Sequence, residues 1–204
     1  TEAFPFIPNR PTDHFRFGRI SRCDTTKFAH DQMFIYDSIK APVPKSGVIL
    51  GWDFKIKDLL KIQTYDLSIQ IKDSIKSEFY KNYIQLLREG TITQQHFYNF
   101  CDVMIFSSGT FENLPRVGFE AMSSGSVLVV NNRGGWKLEV EEGRTGFLCD
   151  TTEQFIERSN LLANNIPLKE EIRLAARQKL EKEWGIEESM KSWEQVFEQW
   201  EKLN

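Results

Sequence analysis

The chain has 204 residues, with 26 Lys and Arg against 29 Asp and Glu, a formal net charge of −3, and 40% hydrophobic residues. Such a composition is globular, and the length buries a core without disulfide or metal staples, which excludes disorder over most of the chain. The slightly acidic balance lacks the positive field that general nucleic-acid binding draws on, so no nucleic-acid partner is expected.

Residues 1–13 are punctuated by Pro5, Pro8 and Pro11 and read as the remnant of an interdomain linker, in which Phe4 and Phe6 imply that the segment lies against something. Apolar runs then alternate with helical patterns. A strand is predicted at His14 to Ile20, a helix at Lys27 to Ser38, a strand at Gly47 to Trp52, a helix at Phe54 to Ile62 and a strand at Asp66 to Ile71. Helices follow at Lys76 to Leu87 and Thr93 to Cys101, then a buried strand at Val103 to Phe106 and a helix from Pro115 to Ser124. A strand at Val127 to Val130, a short helix at Trp136 to Glu141 and a strand at Phe147 and Leu148 complete the alternation. Repeated βα units predict an α/β class, a Rossmann-like, doubly wound parallel sheet over residues 14–185. In the helical last third, Ile186, Met190, Trp193, Phe197 and Trp200 step by four, three, four and three, so residues 186–204 form an amphipathic helix. Its aromatic stripe either packs on the domain's own sheet or crosses to a domain absent from this chain.

Cys23, Cys101 and Cys149 are odd in number and far apart, and His14, His30 and His96 are isolated, so no disulfide framework and no metal are expected. Apolar runs of about four residues fall far short of the ~20 that cross a bilayer, and Thr1 to Thr12 resembles no secretory leader. A cytoplasmic setting follows, with peripheral membrane association of a longer protein left open. Neither the P-loop nor the dinucleotide glycine fingerprint is present. Ala121-Met122-Ser123-Ser124-Gly125 approximates a nucleophile elbow, but it leads from helix to strand, the reverse of the order that exposes a serine, and reads as a helix end.

The informative stretch runs from Ser107 to Met122. It follows a buried strand and opens a helix near Pro115, at the carboxyl end of a parallel strand, where open α/β sheets bind ligands. Amides at Leu114, Arg116 and Val117, with the positive end of the helix dipole, suit a diphosphate. Glu112 and Glu120 bracket the turn and are suited to accept from sugar or ribose hydroxyls. Arg19, Arg22 and Lys27, after the first strand, supply the facing cations.

Taken together in this order, Gly18-Arg19-Ile20 with Lys27, the E-x7-E spacing of Glu112 and Glu120, Gly125, Gly134-Gly135 and Gly143-Arg144-Thr145-Gly146-Phe147-Leu148 resemble a retaining glycosyltransferase of family 4, also called group 1. The resemblance covers most of residues 14–160 and matches only the C-terminal, donor-binding half of a two-domain GT-B fold. It implies a nucleotide-sugar-dependent hexosyl transfer to an unidentified acceptor, with no prosthetic group and no metal. The acceptor domain, an expected partner, would be absent from this chain. By the resemblance Arg19, Lys27 and Glu112 are catalytic, the cations on the diphosphate and the acid on the sugar. Glu120 holds the ribose, Gly18, Arg22, Asn113, Leu114, Arg116 and Val117 complete the donor site, and Gly90-Thr91-Ile92-Thr93 is the base-facing loop. Three departures stand out: Pro115 replaces a frequent glycine, two extra residues separate Arg19 from Lys27 so that Arg22 is an alternative ligand, and Glu139 follows Gly134-Gly135 by one residue more than usual. The competing readings are another GT-B-type sugar-nucleotide enzyme, such as an epimerase or phosphorylase, and a non-enzymatic nucleotide-sugar-binding or interaction module. A glycosidase using the two glutamates is a weaker third.

Overall fold

The computed structural model describes residues 3–8, 10–60, 65–66, 78–81 and 83–203. Eight strands are described: β1 (Phe15–Ile20), β2 (Lys45–Leu50), β3 (Tyr65–Asp66), β4 (Glu78–Tyr80), β5 (Ile84–Leu87), β6 (Val103–Phe106), β7 (Val127–Asn131) and β8 (Gly146–Cys149). They form one sheet in the order β3-β4-β5-β2-β1-β6-β7-β8. From β5 to β8 all neighbours are parallel, and β3 and β4 add an antiparallel edge. The helices are α1 (Gln32–Ser38), α2 (Phe54–Leu60), α3 (Gln94–Phe100), α4 (Arg116–Ser124), α5 (Trp136–Glu139), α6 (Thr152–Asn164), α7 (Ile166–Trp184) and α8 (Ile186–Leu203).

The sheet is covered on both faces, and the alternation of side chains along each strand sorts the core accordingly. Val103 and Ile105 of β6 join Phe17, Ile49 and Val129 beneath α1 and α6, where Tyr36, Phe155 and Leu162 close the layer. Met104 and Phe106 turn to the other face with Leu50, Leu128 and Val130, under Phe97 of α3, Met122 of α4 and Leu180 of α7. Each large side chain so buried contributes about 1.5–3 kcal/mol relative to exposure. Parallel β1 lies between β2 and β6, so the order reverses at the β1/β6 step and opens a crevice at their carboxyl ends.

Several expectations are corrected. The helix predicted at 76–87 is, among its described residues, β4 and β5, joined through Lys81 at φ 51°. Phe79, Tyr80, Tyr83, Ile84 and Leu87 mimic a helical face by spacing, yet all but Leu87 are strand-forming types, and pairing with β2 settles the choice. Asp66 belongs to β3, while 67–71 of the strand predicted there, and 61–62 of the predicted helix before it, lie outside the described residues. The helix predicted from Lys27 is a 3-10 turn at Thr25–Lys27 followed by α1: the Asp24 carboxylate caps the turn and Phe28 ends it in extended backbone. Ser123 is buried and donates to the Phe4 carbonyl at 2.7 Å, and Gly125 ends α4 in the left-handed region.

The N-terminal segment is docked. Arg173 donates to the carbonyls of Gly125, Pro8 and Ile7 and lies over the Phe6 ring, and Arg10 donates to Tyr98 O at 3.0 Å and Ser124 O at 2.9 Å. The stripe of α8 is not packed on the sheet: Ile186, Met190, Trp193, Phe197 and Trp200 are all more than half exposed. Among the described residues no helix is long and apolar enough to cross a membrane.

Candidate functional site

A cavity of about 590 Å³ occupies the crevice at the carboxyl ends of β1, β2 and β6. Its wall carries the cations Arg19, Arg22, Lys27 and Arg116 and the carboxylates Glu89, Glu112 and Glu120.

Arg19, next to last in β1, is 1% exposed, and among the described residues no carboxylate lies within ion-pair distance of it. Three of its five N–H groups are engaged, by Gln32 Oε1 at 2.6 Å, Ser107 O at 3.0 Å and Lys27 O at 2.6 Å, while Nε has no acceptor. Phe28 lies against the guanidinium at 4.1 Å. Burial lowers its pKa to about 10, which leaves it cationic at neutral pH. A dry, unmatched cation beside a cavity is costly by itself and relieved by an anion there. Its framework is also fixed: Gln32 Oε1 accepts from Ser107 N at 3.1 Å, and Asp31 accepts from the hydroxyls of Ser107 and Thr152 at 2.6 Å each.

Across the cavity, Lys27 Nζ donates to both carboxylate oxygens of Glu112 at 2.8 and 2.7 Å. Glu112 is set by backbone, since its carbonyl accepts from Gly135 N at 2.6 Å. Glycine is required on the facing turn, because a Cβ on Gly134 would meet the Glu112 carbonyl and one on Gly135 that of Asn113. Leu114, Arg116 and Val117 line the cavity where α4 begins. Pro115 precedes the helix and no side chain caps it, so the Arg116 and Val117 amides lack the partners they would have in a helix interior, while Gly118 N donates to the Pro115 carbonyl at 2.8 Å. Glu120, one turn on, accepts from the Tyr98 hydroxyl at 2.7 Å, and among the described residues no ion pair joins it to Arg116.

Beneath α4 lies a group without a partner among the described residues. Glu139 is fully buried, neither carboxylate oxygen has a hydrogen bond, and it abuts Gly118, where any side chain would collide with it. Burial, and then the charge of Glu112, push its pKa up to about 9, so it is neutral at pH 7. Trp136, whose Nε1 is also unpartnered among the described residues, packs at a tilt against Phe106 at the cavity wall.

The structure therefore gathers Arg19, Arg22, Lys27, Glu112, Leu114, Arg116, Val117 and Glu120 around one cavity. It does not bring Gly18, Thr91 or Asn113 to that wall. A Cβ on Gly18 would strike the Val48 carbonyl and Cys101, so this glycine serves strand and α3 packing; Gly90 and Ile92 line the cavity on either side of Thr91. Gln32, Tyr98 and Trp136 escaped sequence reasoning: each sits in a predicted helix, where its type reads as ordinary core or surface. Among the described residues no group of three or more His, Cys, Asp or Glu is arranged to hold a metal ion.

Residues 66–179 match the family described as Glycosyl transferases group 1. Spore coat protein SA of Bacillus subtilis is 30% identical over 119 residues, which are 57% of this chain and 29% of that protein. The crystal structure of Anabaena HepE in complex with UDP and glucose superposes with a TM-score of 0.69 at 18% identity, covering 91% of this chain and 49% of HepE. The C-terminal domain of LpcC, a glycosyl transferase group 1 family protein from Francisella tularensis, gives 0.62 at 20% identity, covering 91% of this chain and 97% of that domain. The chain thus spans about half of HepE and less of the spore coat protein.

Proposed function

Because the chain belongs to the glycosyl transferases group 1 family, we propose that its cavity binds a nucleoside diphosphate sugar and forms the donor side of a retaining, family 4 hexosyltransferase. The observation that carries this reading is Arg19, a buried cation without a carboxylate partner among the described residues, beside the open start of α4. A diphosphate supplies the missing anion to both. UDP and glucose in HepE, a protein of similar fold, make a sugar nucleotide the ligand of first choice.

In this reading Lys27 leaves Glu112 when the diphosphate enters, and the freed carboxylate turns to the sugar hydroxyls. Glu120 accepts from the ribose diol, and Gly90 and Ile92 border the base. As the bond between the anomeric carbon and the diphosphate oxygen breaks, both electrons stay on the diphosphate. Arg19, Lys27, with Arg22 as the alternative ligand, and the α4 amides stabilise that growing charge more than they stabilise the ground state, which is the source of rate. Residues 14–185 act as the nucleotide-sugar unit, 1–13 as an interdomain linker and 186–204 as a helix serving a partner domain that binds the acceptor, in a cytoplasmic protein. The chain by itself is then expected to bind donor and transfer sugar poorly or not at all; robust transfer by the isolated chain would refute the missing acceptor half.

The test is thermal melting with UDP, GDP, ADP and TDP and their sugars. A ligand at about 100 times its Kd stabilises by about 2.7 kcal/mol, roughly 5–10 °C for a chain of this size. Glu120→Ala should weaken every nucleotide by about tenfold, whereas Glu112→Ala should chiefly remove the preference for the sugar-bearing form. No shift with any member of the panel sinks the reading, and equal affinities of both variants and wild type remove the roles given to the two acids.

A further inference from the structure

Taking the reading of Glu120 as the ribose ligand as its basis, we infer that Tyr98 is a positioning residue that presets the Glu120 carboxylate for the ribose diol and is itself held in place by the N-terminal segment. The Tyr98 side chain is fully buried in α3, and its hydroxyl donates to Glu120 Oε2 at 2.7 Å. A carboxylate offers about four acceptor directions, so one donor from below fixes its orientation and leaves the others for two ribose hydroxyls.

The hydroxyl is a permanent donor. Burial, followed by the neighbouring Glu120 charge, holds the phenol well above its ordinary pKa and so protonated. Its position is fixed from two sides. The ring meets Phe4 edge-on at 5.4 Å and Phe97 at 5.5 Å, and the Tyr98 carbonyl accepts from Arg10 at 3.0 Å. Phe4 is anchored in turn, its carbonyl accepting from Ser123 at 2.7 Å. A chain of direct contacts therefore runs from Phe4, through the Tyr98 ring, to the carboxylate at the cavity wall, while Arg10 holds the Tyr98 backbone. Preorganising a long, flexible glutamate removes its ordering from the binding step, and the gain is realised only by a ligand that uses the carboxylate.

That condition separates positioning from mere packing. The affinities of UDP and GDP, and of their 2′,3′-dideoxy forms, are measured for wild type, Tyr98→Phe and Glu120→Gln. Wild type should prefer the diol forms. Tyr98→Phe should weaken UDP or GDP about fivefold to tenfold and leave the dideoxy forms within about twofold of wild type. Glu120→Gln should abolish the preference. Phe4→Ala keeps the hydroxyl but removes the edge contact that holds the ring, and should weaken the diol forms alone by about twofold to threefold; it serves as the second variant should Tyr98→Phe fail to fold. Equal weakening of diol and dideoxy forms, or wild-type behaviour of both variants, overturns the role of Tyr98 while leaving Glu120 in place. Absence of any diol preference in wild type overturns the ribose reading, and the role of Tyr98 falls with it.

Discussion

Arg19→Ala is expected to weaken nucleoside diphosphate binding by about 100-fold or more and to erase the thermal shift that the wild type shows with ligand. Loss of one member of a desolvated, hydrogen-bonded charge pair costs about 2–5 kcal/mol, and among the described residues no other cation is as deeply buried at this wall. The unliganded variant should melt only a few degrees lower. The deletion takes a donor from the Lys27 carbonyl, while the Ser107 carbonyl keeps the Ala29 amide, and it also removes a buried charge that has no carboxylate partner among the described residues. Arg19→Lys keeps the charge and loses the planar fork that serves Gln32 and two carbonyls and, in the proposed reading, a phosphate, so an intermediate loss of about tenfold is expected. Titration calorimetry of UDP into the three proteins measures this. Wild-type affinity in Arg19→Ala would remove the electrostatic core of the account.

Glu139 should make the protein less stable as pH rises. Its carboxyl is raised from an ordinary 4.5 to about 9 by burial and by Glu112. Between those values the folded chain keeps a proton that the unfolded chain has released. Stability therefore is greatest below about pH 4.5 for this group, falls by up to about 1.4 kcal/mol per pH unit above it, and levels off past about 9. The group is fully buried, so solvent screening does not soften the effect. Glu139→Gln has no proton to release. Relative to wild type its melting temperature should climb by roughly 3–5 °C for each pH unit between 5 and 9. Parallel curves for the two proteins would mean that Glu139 is ionised in the fold or finds a partner there.

Much of this architecture was legible because both faces of a parallel strand are dry. Val103–Phe106 is a continuous apolar run and is a strand with those bounds; Ile186 to Leu203 carries a helical stripe and is a helix. The strand-to-helix turn at 107–116 was legible for a different reason: proline before the helix and small residues after the strand leave the backbone few choices. Periodicity failed at Tyr80 to Leu87, where spacing fits a helix and only pairing with β2 decides otherwise. It also cannot tell an aromatic residue that packs from one that aims a carboxylate, which is why Tyr98 was missed, nor a glycine that admits ligand from one that admits Cys101, as at Gly18. The pairing of Lys27 with Glu112 joins residues 85 positions apart, a distance no local pattern spans.

A crystal structure of the chain with UDP bound is the direct measurement. The diphosphate is expected between Arg19 and the first amides of α4, with Lys27 Nζ withdrawn from Glu112 onto a phosphate oxygen and Glu120 on the ribose hydroxyls. A diphosphate bound elsewhere, with the Lys27 and Glu112 pair intact and Arg19 still without an anion, would contradict it.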